Sequence, residues 1–558
     1  MLKKIVLYSC FSVLFLAAYS AIGQITGAGG DVYINPSEFT PTVKDAVKQS
    51  DLPEITDTVK KIEKINYTIQ SSAITTKYKV EPIQQAKMVN EPLSKLYYSL
   101  VKFGFGNYTM PYGELFLNNL RSREAVYGMR YRHLSSRATL DKLGFSGFSD
   151  NELAAYGKKF YKKHTLSGDF NYTRNVVHFY GFPDSLFKGE DNDFTKQRFN
   201  IFDAKINLMS HYTDSTKINH DIHLNYYNIG DINNTFENNV YADGLIRAHV
   251  SGEKLNVFLS TDYYNLQSNH DTVSNFIMKV NPYFEAGGEK WKADIGVTAA
   301  LDKFNGIDPK FYFYPRLNVH YNVYNNIVIP YAGLSGGLQK NSFRSYVSAN
   351  PFVLSELQYK NTNNAFNVFG GLRGALSSNT SYDAKVTYGK YTNMPFFIIN
   401  YDNFLSNRFN VIYDKATLLT VSGQLKYQFK EKLNITGKGN YYSYKTDSIA
   451  YAWHKPKFDI TLSGLYNLKS KIIVKADLFY IGSQLAYQRT TDKAGNYKYE
   501  KAELKGIADI NLGAEYRYSK MLSFFVNFNN IGNFRYYRWD RYPTQRFNAM
   551  VGVTFVPF

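Results

Sequence analysis

The stretch Thr420 to Tyr441, TVSGQLKYQFKEKLNITGKGNY, changes polarity at nearly every residue and keeps its phase through a turn. Val421, Gly423, Leu425, Tyr427 and Phe429 share one side of an extended chain, because successive side chains of a strand point to opposite faces. Thr420, Ser422, Gln424, Lys426 and Gln428 share the other. After the polar turn at Lys430 and Glu431, Leu433, Ile435, Gly437, Gly439 and Tyr441 continue the first set, and Lys432, Asn434, Thr436, Lys438 and Asn440 the second. The division recurs in Ile510, Leu512, Ala514, Tyr516 and Tyr518 against Asp509, Asn511, Gly513, Glu515 and Arg517. A soluble sandwich also alternates, but buries its apolar face in a shared core. The opposite arrangement, oily side outward and charged side in, is a barrel closed within a bilayer.

Three features select the barrel. Lys3 and Lys4 precede an apolar run, Ile5 to Ala18, and the small residues Ala21 to Gly23, the pattern of a secretory signal peptide over residues 1–23. The single cysteine, Cys10, lies in that run, so the mature chain is expected to hold no disulfide or thiolate metal site. The chain carries 49 Tyr and 41 Phe, yet its mean hydropathy is negative. Aromatic belts at two lipid interfaces reconcile these facts. Beyond the signal no stretch reaches the roughly 20 apolar residues of a membrane helix, so spans must come from strands. Polar turn clusters also recur about every ten to fifteen residues from Leu96 onward.

The expected fold is all-β: a large antiparallel transmembrane barrel of about 22 strands over residues 96–558, preceded by an extended arm over 24–95. Pro36, Pro41, Pro53, Pro82 and Pro92 exclude most ladder positions in that arm. Its apolar residues Val32, Ile34, Phe39, Val43 and Val47 favour docking, in the periplasm or the lumen, over disorder. Strand patterns run from Leu96 to Asn107, Tyr112 to Arg121 and Ala125 to Leu134, and resume between Asn200 and Leu338. Between them, Arg137 to Lys163 is expected to be a long loop with a short helix capped at Asp150.

The net charge of +18 admits two readings in a barrel: basic rims gripping anionic lipid and lipopolysaccharide, or a basic lumen attracting anionic solutes. Lys430, Lys432, Lys469 and Lys471, near strand ends, favour the rim. No basic cluster interleaves with a stacking platform, so nucleic acid is not an expected partner.

The C-terminal region resembles the final hairpin of TonB-dependent receptors. Phe524 to Asn533, FFVNFNNIGN, is followed by Tyr536-Tyr537, by Tyr542 to Phe547, YPTQRF, and by Val551-Gly-Val-Thr-Phe555. Phe103 to Tyr108 through Pro111-Tyr112 is similar to the first hairpin of plug-lacking, Bacteroidota-type relatives. The resemblance implies a 22-strand outer-membrane barrel of a Gram-negative bacterium. It also implies a terminal aromatic read by the barrel-insertion machinery, either Phe555 by phase or Phe558 by position. The family's folded plug has no counterpart in the proline-broken arm, so passive transport through a channel is expected. The alternative is an accessory or structural barrel that binds other outer-membrane or envelope-assembly proteins through the arm and the 137–163 insertion.

Chemistry-bearing motifs are few. His220 and His223 on one strand face opposite sides and cannot readily share an ion. Gly144 to Gly147, GFSG, lacks the spacing of a nucleophile elbow and places Ser146 in a loop. Glu190, Asp191 and Asp193 lack the glycine and later glutamate of a calcium loop. No phosphate loop opens a helix. Neither enzymatic activity, cofactor nor metal is expected.

Overall fold

The structure is a computed structural model that describes residues 97–557 apart from 187–191, 251–252, 403 and 493. The signal, the 24–95 arm, Glu190, Asp191 and Phe558 lie outside the described residues.

Twenty-two strands form one antiparallel sheet that closes on itself. The first strand, Ser99–Gly106, pairs with Met110–Asn118 on one side and with the last, Asn548–Phe555, on the other, Val101 opposite Phe555 and Gly106 opposite Met550. Closure leaves no unpaired edge, the condition a sheet must meet in hydrocarbon. With strands about 4.8 Å apart and tilted about 40°, a 22-strand ring measures roughly 40–45 Å across its backbone. Among the described residues no helix is long and apolar enough to cross a membrane, so the strands make the spans.

The faces divide as the alternation predicts. Val421 pairs with Tyr441, Leu425 with Gly437 and Phe429 with Leu433, placing the whole apolar set on one side. That side is the exposed one: Val421, Leu425, Phe429, Tyr441, Ile510, Leu512 and Tyr516 all expose their side chains. Asp509, facing the other way, is buried. An apolar exterior around a polar interior is the membrane arrangement, inverted from that of a sandwich.

One sequence expectation fails. Residues 137–163 are not an inserted loop with a helix: Phe148–Phe160 is a barrel strand, joined through its full length to Ala125–Ser136 and His164–His178. Asp150 to Tyr156 contains good helix formers, but alternation holds there too, and Glu152 is fixed by Arg130 of the neighbouring strand at 3.3 Å. Pairing on both sides overrides local propensity. The loop proper is 137–147.

The two ends of the barrel differ. Ser99 and Phe555 lie at the end joined by short turns such as 378–379, 430–432 and 469–471. At the other end stand the long connections 179–195, 340–361, 447–457, 482–506 and 530–547. By the usual build of such barrels the short turns face the periplasm and the long loops the exterior. One long connection holds a hairpin outside the barrel sheet, Gln484–Thr491 with Tyr497–Leu504; its flanking strands, Ile472–Ile481 and Ile507–Arg517, pair directly past it.

Candidate functional site

The outer mouth is built by an overlong hairpin. Thr380–Asn400 and Arg408–Phe429 are 21 and 22 residues long, about twice what a tilted span needs. Between Tyr391 and Met394 the register slips against Ala416 and Asp414, with Asn393 at a φ of 57°. Such a bulge bends a strand and raises its twist. Beyond it the sequence MPFFIIN loses its alternation, because both faces are buried. Phe397, Ile399, Phe409 and Val411 join one apolar cluster with Phe343, Tyr346, Val347 and Tyr542. Phe396 joins another with Ala416 and Trp453, against which Leu485 and Tyr487 of the extra hairpin pack.

Phe343, Tyr346 and Val347 come from a short helix, Phe343–Ala349, in the 340–361 loop. Ser342 and Ser345 cap its start reciprocally. The carboxylate of Glu237, wholly buried, accepts the Phe343 amide at 2.7 Å and the Tyr227 hydroxyl at 2.5 Å. Inward-facing Phe199, Tyr227, Ile229, Tyr264 and Leu266 complete the cluster from the barrel wall.

This core crosses the mouth. The 179–195 loop follows the fifth strand and 401–407 the fifteenth, ten strands apart in a ring of 22, almost diametrically opposed. Asn407 nevertheless donates its side-chain amide to the Phe179 carbonyl at 2.7 Å. Tyr542, from the small Tyr537–Trp539 and Tyr542–Pro543 hairpin, donates its hydroxyl to the Asn407 carbonyl and stacks on Phe352, ring centres 3.7 Å apart. Tyr180 donates to the Pro543 carbonyl at 2.9 Å, and Arg541 to the Ser406 carbonyl at 3.1 Å. His454 lies under the same layer, with Nδ1 2.9 Å from the Phe397 carbonyl and Nε2 accepting the Asp540 amide at 3.4 Å. That pattern requires the neutral Nδ1–H tautomer. Burial pulls the His454 pKa down to about 4 and holds the Asp540 carboxyl above its usual range.

Two cavities stand out. An outer one of about 950 Å³ opens among the loops and is lined by Phe182, Phe534 and Tyr537 with the cations Lys505, Arg535 and Arg541 and the acids Glu503 and Asp540. A second, of about 930 Å³, lies against the lumen wall and is bordered by Arg316, Arg373, Lys385 and Lys438 with Asp294 and Asp383. Two other lumen cations are paired: Arg130 sits between Glu114 at 2.9 Å and Glu152 at 3.3 Å, and Lys340 meets Asp262 at 2.8 Å.

The residues singled out from sequence are dispersed. Phe555 lies on the last strand with its ring exposed to the lipid side. His220 and His223 share the strand Asn219–Gly230 and fall on opposite faces, His223 within 3.2 Å of Asp243 and His220 beside the ring of His164. Ser146 is buried and donates to the Ala138 carbonyl at 2.9 Å. Asp193 pairs with Lys196 at 2.9 Å. Lys430, Lys432, Lys469 and Lys471 sit at the short turns, while the lumen adds its own cations. The mouth bridge had only a weak signal in the sequence, the loss of alternation at MPFFIIN.

A closed antiparallel ring of 22 strands, oily outside, charged within and crossed at one end by its own loops, is a transmembrane β-barrel of the outer-membrane kind. No family model matches the chain, and no curated protein matches it in sequence. Solved structures do share the fold. The ferripyoverdine receptor of the outer membrane of Pseudomonas aeruginosa superposes with a TM-score of 0.62 at 12% identity, over 83% of this chain and 72% of that one. The FrpB iron transporter from Neisseria meningitidis gives 0.63 at 8%, over 83% and 82%. The ferric-catecholate import receptor Fiu from K12 E. coli gives 0.60 at 10%, over 82% and 81%. The chain is thus similar in architecture to TonB-dependent outer-membrane receptors.

Proposed function

We propose that the protein is a gated barrel for solute uptake across the outer membrane, passive in its energetics and closed at rest by its own loops. The observation that carries this reading is the Asn407 to Phe179 hydrogen bond, which joins opposite sides of the mouth at 2.7 Å within a dry aromatic layer. In this reading the layer blocks the mouth at rest, so passage requires it to move. The outer cavity, with aromatic and charged side chains on several loops, is a suitable capture point. A solute that binds better to the open arrangement would shift the mouth toward it. The structural neighbours described as a ferripyoverdine receptor and an iron transporter support uptake as the general role.

Planar-bilayer recording tests the reading. The wild-type protein should conduct little, with residues 24–95 present or deleted, and removal of 343–359 should raise conductance severalfold. A large steady wild-type conductance, or a loop deletion that stays closed, would overturn it.

A further inference from the structure

We infer that the lumen wall between the tenth and seventeenth strands is a binding site for a small polyanion, a solute carrying several carboxylate or phosphate oxygens.

The wall is built by glycines that let aromatic rings lie across strands. Tyr283 pairs with Gly296, and Gly296 with Arg316 on the next strand. A Cβ at position 296 would sit 2.5 Å from the Tyr283 Cβ; without it, the Arg316 guanidinium reaches over the Tyr283 ring, 3.7 Å from its centre. The device repeats nearby. Tyr331 pairs with Gly371, and Gly371 with Lys385. A side chain at 371 would lie 2.5 Å from Tyr331 Cζ; the gap lets Tyr331 cross to Asp383, where its hydroxyl donates at 2.6 Å. Lys385 rests over Phe369 at 4.4 Å, and Arg373 over Tyr331 at 5.4 Å.

Aromatic faces hold these cations in place without neutralising them. Arg373 and Asp383 stand directly opposite in register, yet the carboxylate is engaged by Tyr331. Among the described residues no carboxylate lies within ion-pair distance of Arg316, Arg373, Lys385 or Lys438. This contrasts with the paired Arg130 and Lys340 of the same lumen. Four cations against two carboxylates border one cavity of about 930 Å³, within the usual size of ligand sites. Low-dielectric walls concentrate such a field, and planar guanidiniums match carboxylate and phosphate oxygens two at a time.

The inference rests on the uptake reading for its role, whereas its test reads binding, which conductance does not. Calorimetry on the full-length protein in neutral detergent, with citrate as probe and glucose as neutral control, should show saturable citrate binding that weakens with salt. Inorganic phosphate should compete. The double variant Arg316→Gln with Arg373→Gln should bind citrate about tenfold or more weakly. Lys438→Gln and, more strongly, Lys438→Glu, at an exposed position, should also weaken it. Absence of citrate binding up to about 10 mM, equal binding of glucose, or unchanged affinity in the folded charge variants would overturn the inference.

Discussion

Asn407 and Phe179 are 228 residues apart and belong to loops on opposite sides of the ring, yet the side-chain amide of one donates to the main-chain carbonyl of the other at 2.7 Å. Asn407 is buried, and Tyr542 secures its own carbonyl. Asn407→Ala leaves the Phe179 carbonyl without that donor in a dry layer, at a cost of about 1–3 kcal/mol. The barrel should stay assembled, since its strands close without this contact. Single-channel recording should show frequent openings where the wild type shows few, and Tyr542→Phe should do the same more weakly. Identical records for all three proteins would mean that this contact does not hold the mouth shut.

Acid should loosen the mouth through His454. Its pKa is pulled from 6.5 to about 4 by burial, so the unfolded layer binds a proton more readily than the folded one. The stabilisation is therefore complete above about pH 6.5 and is lost as pH falls toward 4, roughly 3 kcal/mol in all. Asp540 acts in the opposite sense, because burial raises its carboxyl pKa and the folded state takes up its proton more easily. Asp540→Asn should therefore leave the His454 effect isolated. Protease susceptibility of the long loops should rise between pH 6.5 and 4 in wild type and in Asp540→Asn. The double variant His454→Gln with Asp540→Asn should show a flat profile in that interval; a slope equal to that of Asp540→Asn alone would assign the effect elsewhere.

The barrel was legible because its signal is local and repeats. Val421 to Tyr441 could be placed on a face residue by residue, and the pairing of Phe429 with Leu433 across 430–432 confirms that phase. Phe148–Phe160 was missed because NELAAY contains helix formers, and the partner that fixes Glu152 as a strand residue, Arg130, is distant in sequence. Beyond the lost alternation at MPFFIIN, the mouth leaves no mark in the sequence, for a related reason. Phe343, Tyr346 and Val347 have helical spacing after Ser342, but nothing in the sequence says that they meet Phe409, Tyr542 and Tyr264. Periodicity reports which side a residue faces and is silent on which distant loop covers it. The polyanion site is hidden similarly, since Gly296 and Gly371 acquire meaning only once register places Arg316 and Tyr331 beside them.

Adjacent residues on one strand should respond oppositely to charge. Leu462 and Ser463 occupy the middle of Phe458–Leu468. Leu462 is 47% exposed on the oily side, while Ser463 faces the lumen opposite Asp477. Leu462→Arg should cost about 2–4 kcal/mol at bilayer depth. Ser463→Arg gains a carboxylate partner in a hydrated interior and should cost little. Urea unfolding in lipid bilayers separates the two; equal destabilisation would contradict the assignment of faces.

The last strand supplies a test of the insertion signal. Phe555 continues the phase of Val551 and Val553, pairs with Val101 on one side and Leu522 on the other, and turns its ring to the lipid. It stands at the seam where the ring closes, so a machinery that delivers the final strand to the first would meet this aromatic while the seam is still open. Phe555→Ser should lower the amount of membrane-inserted protein severalfold, measured as protease-resistant barrel in outer-membrane fractions. Removal of Phe558, which follows Pro557 and breaks the alternation, should have the smaller effect. The reverse order would show that the machinery reads chain position rather than strand phase.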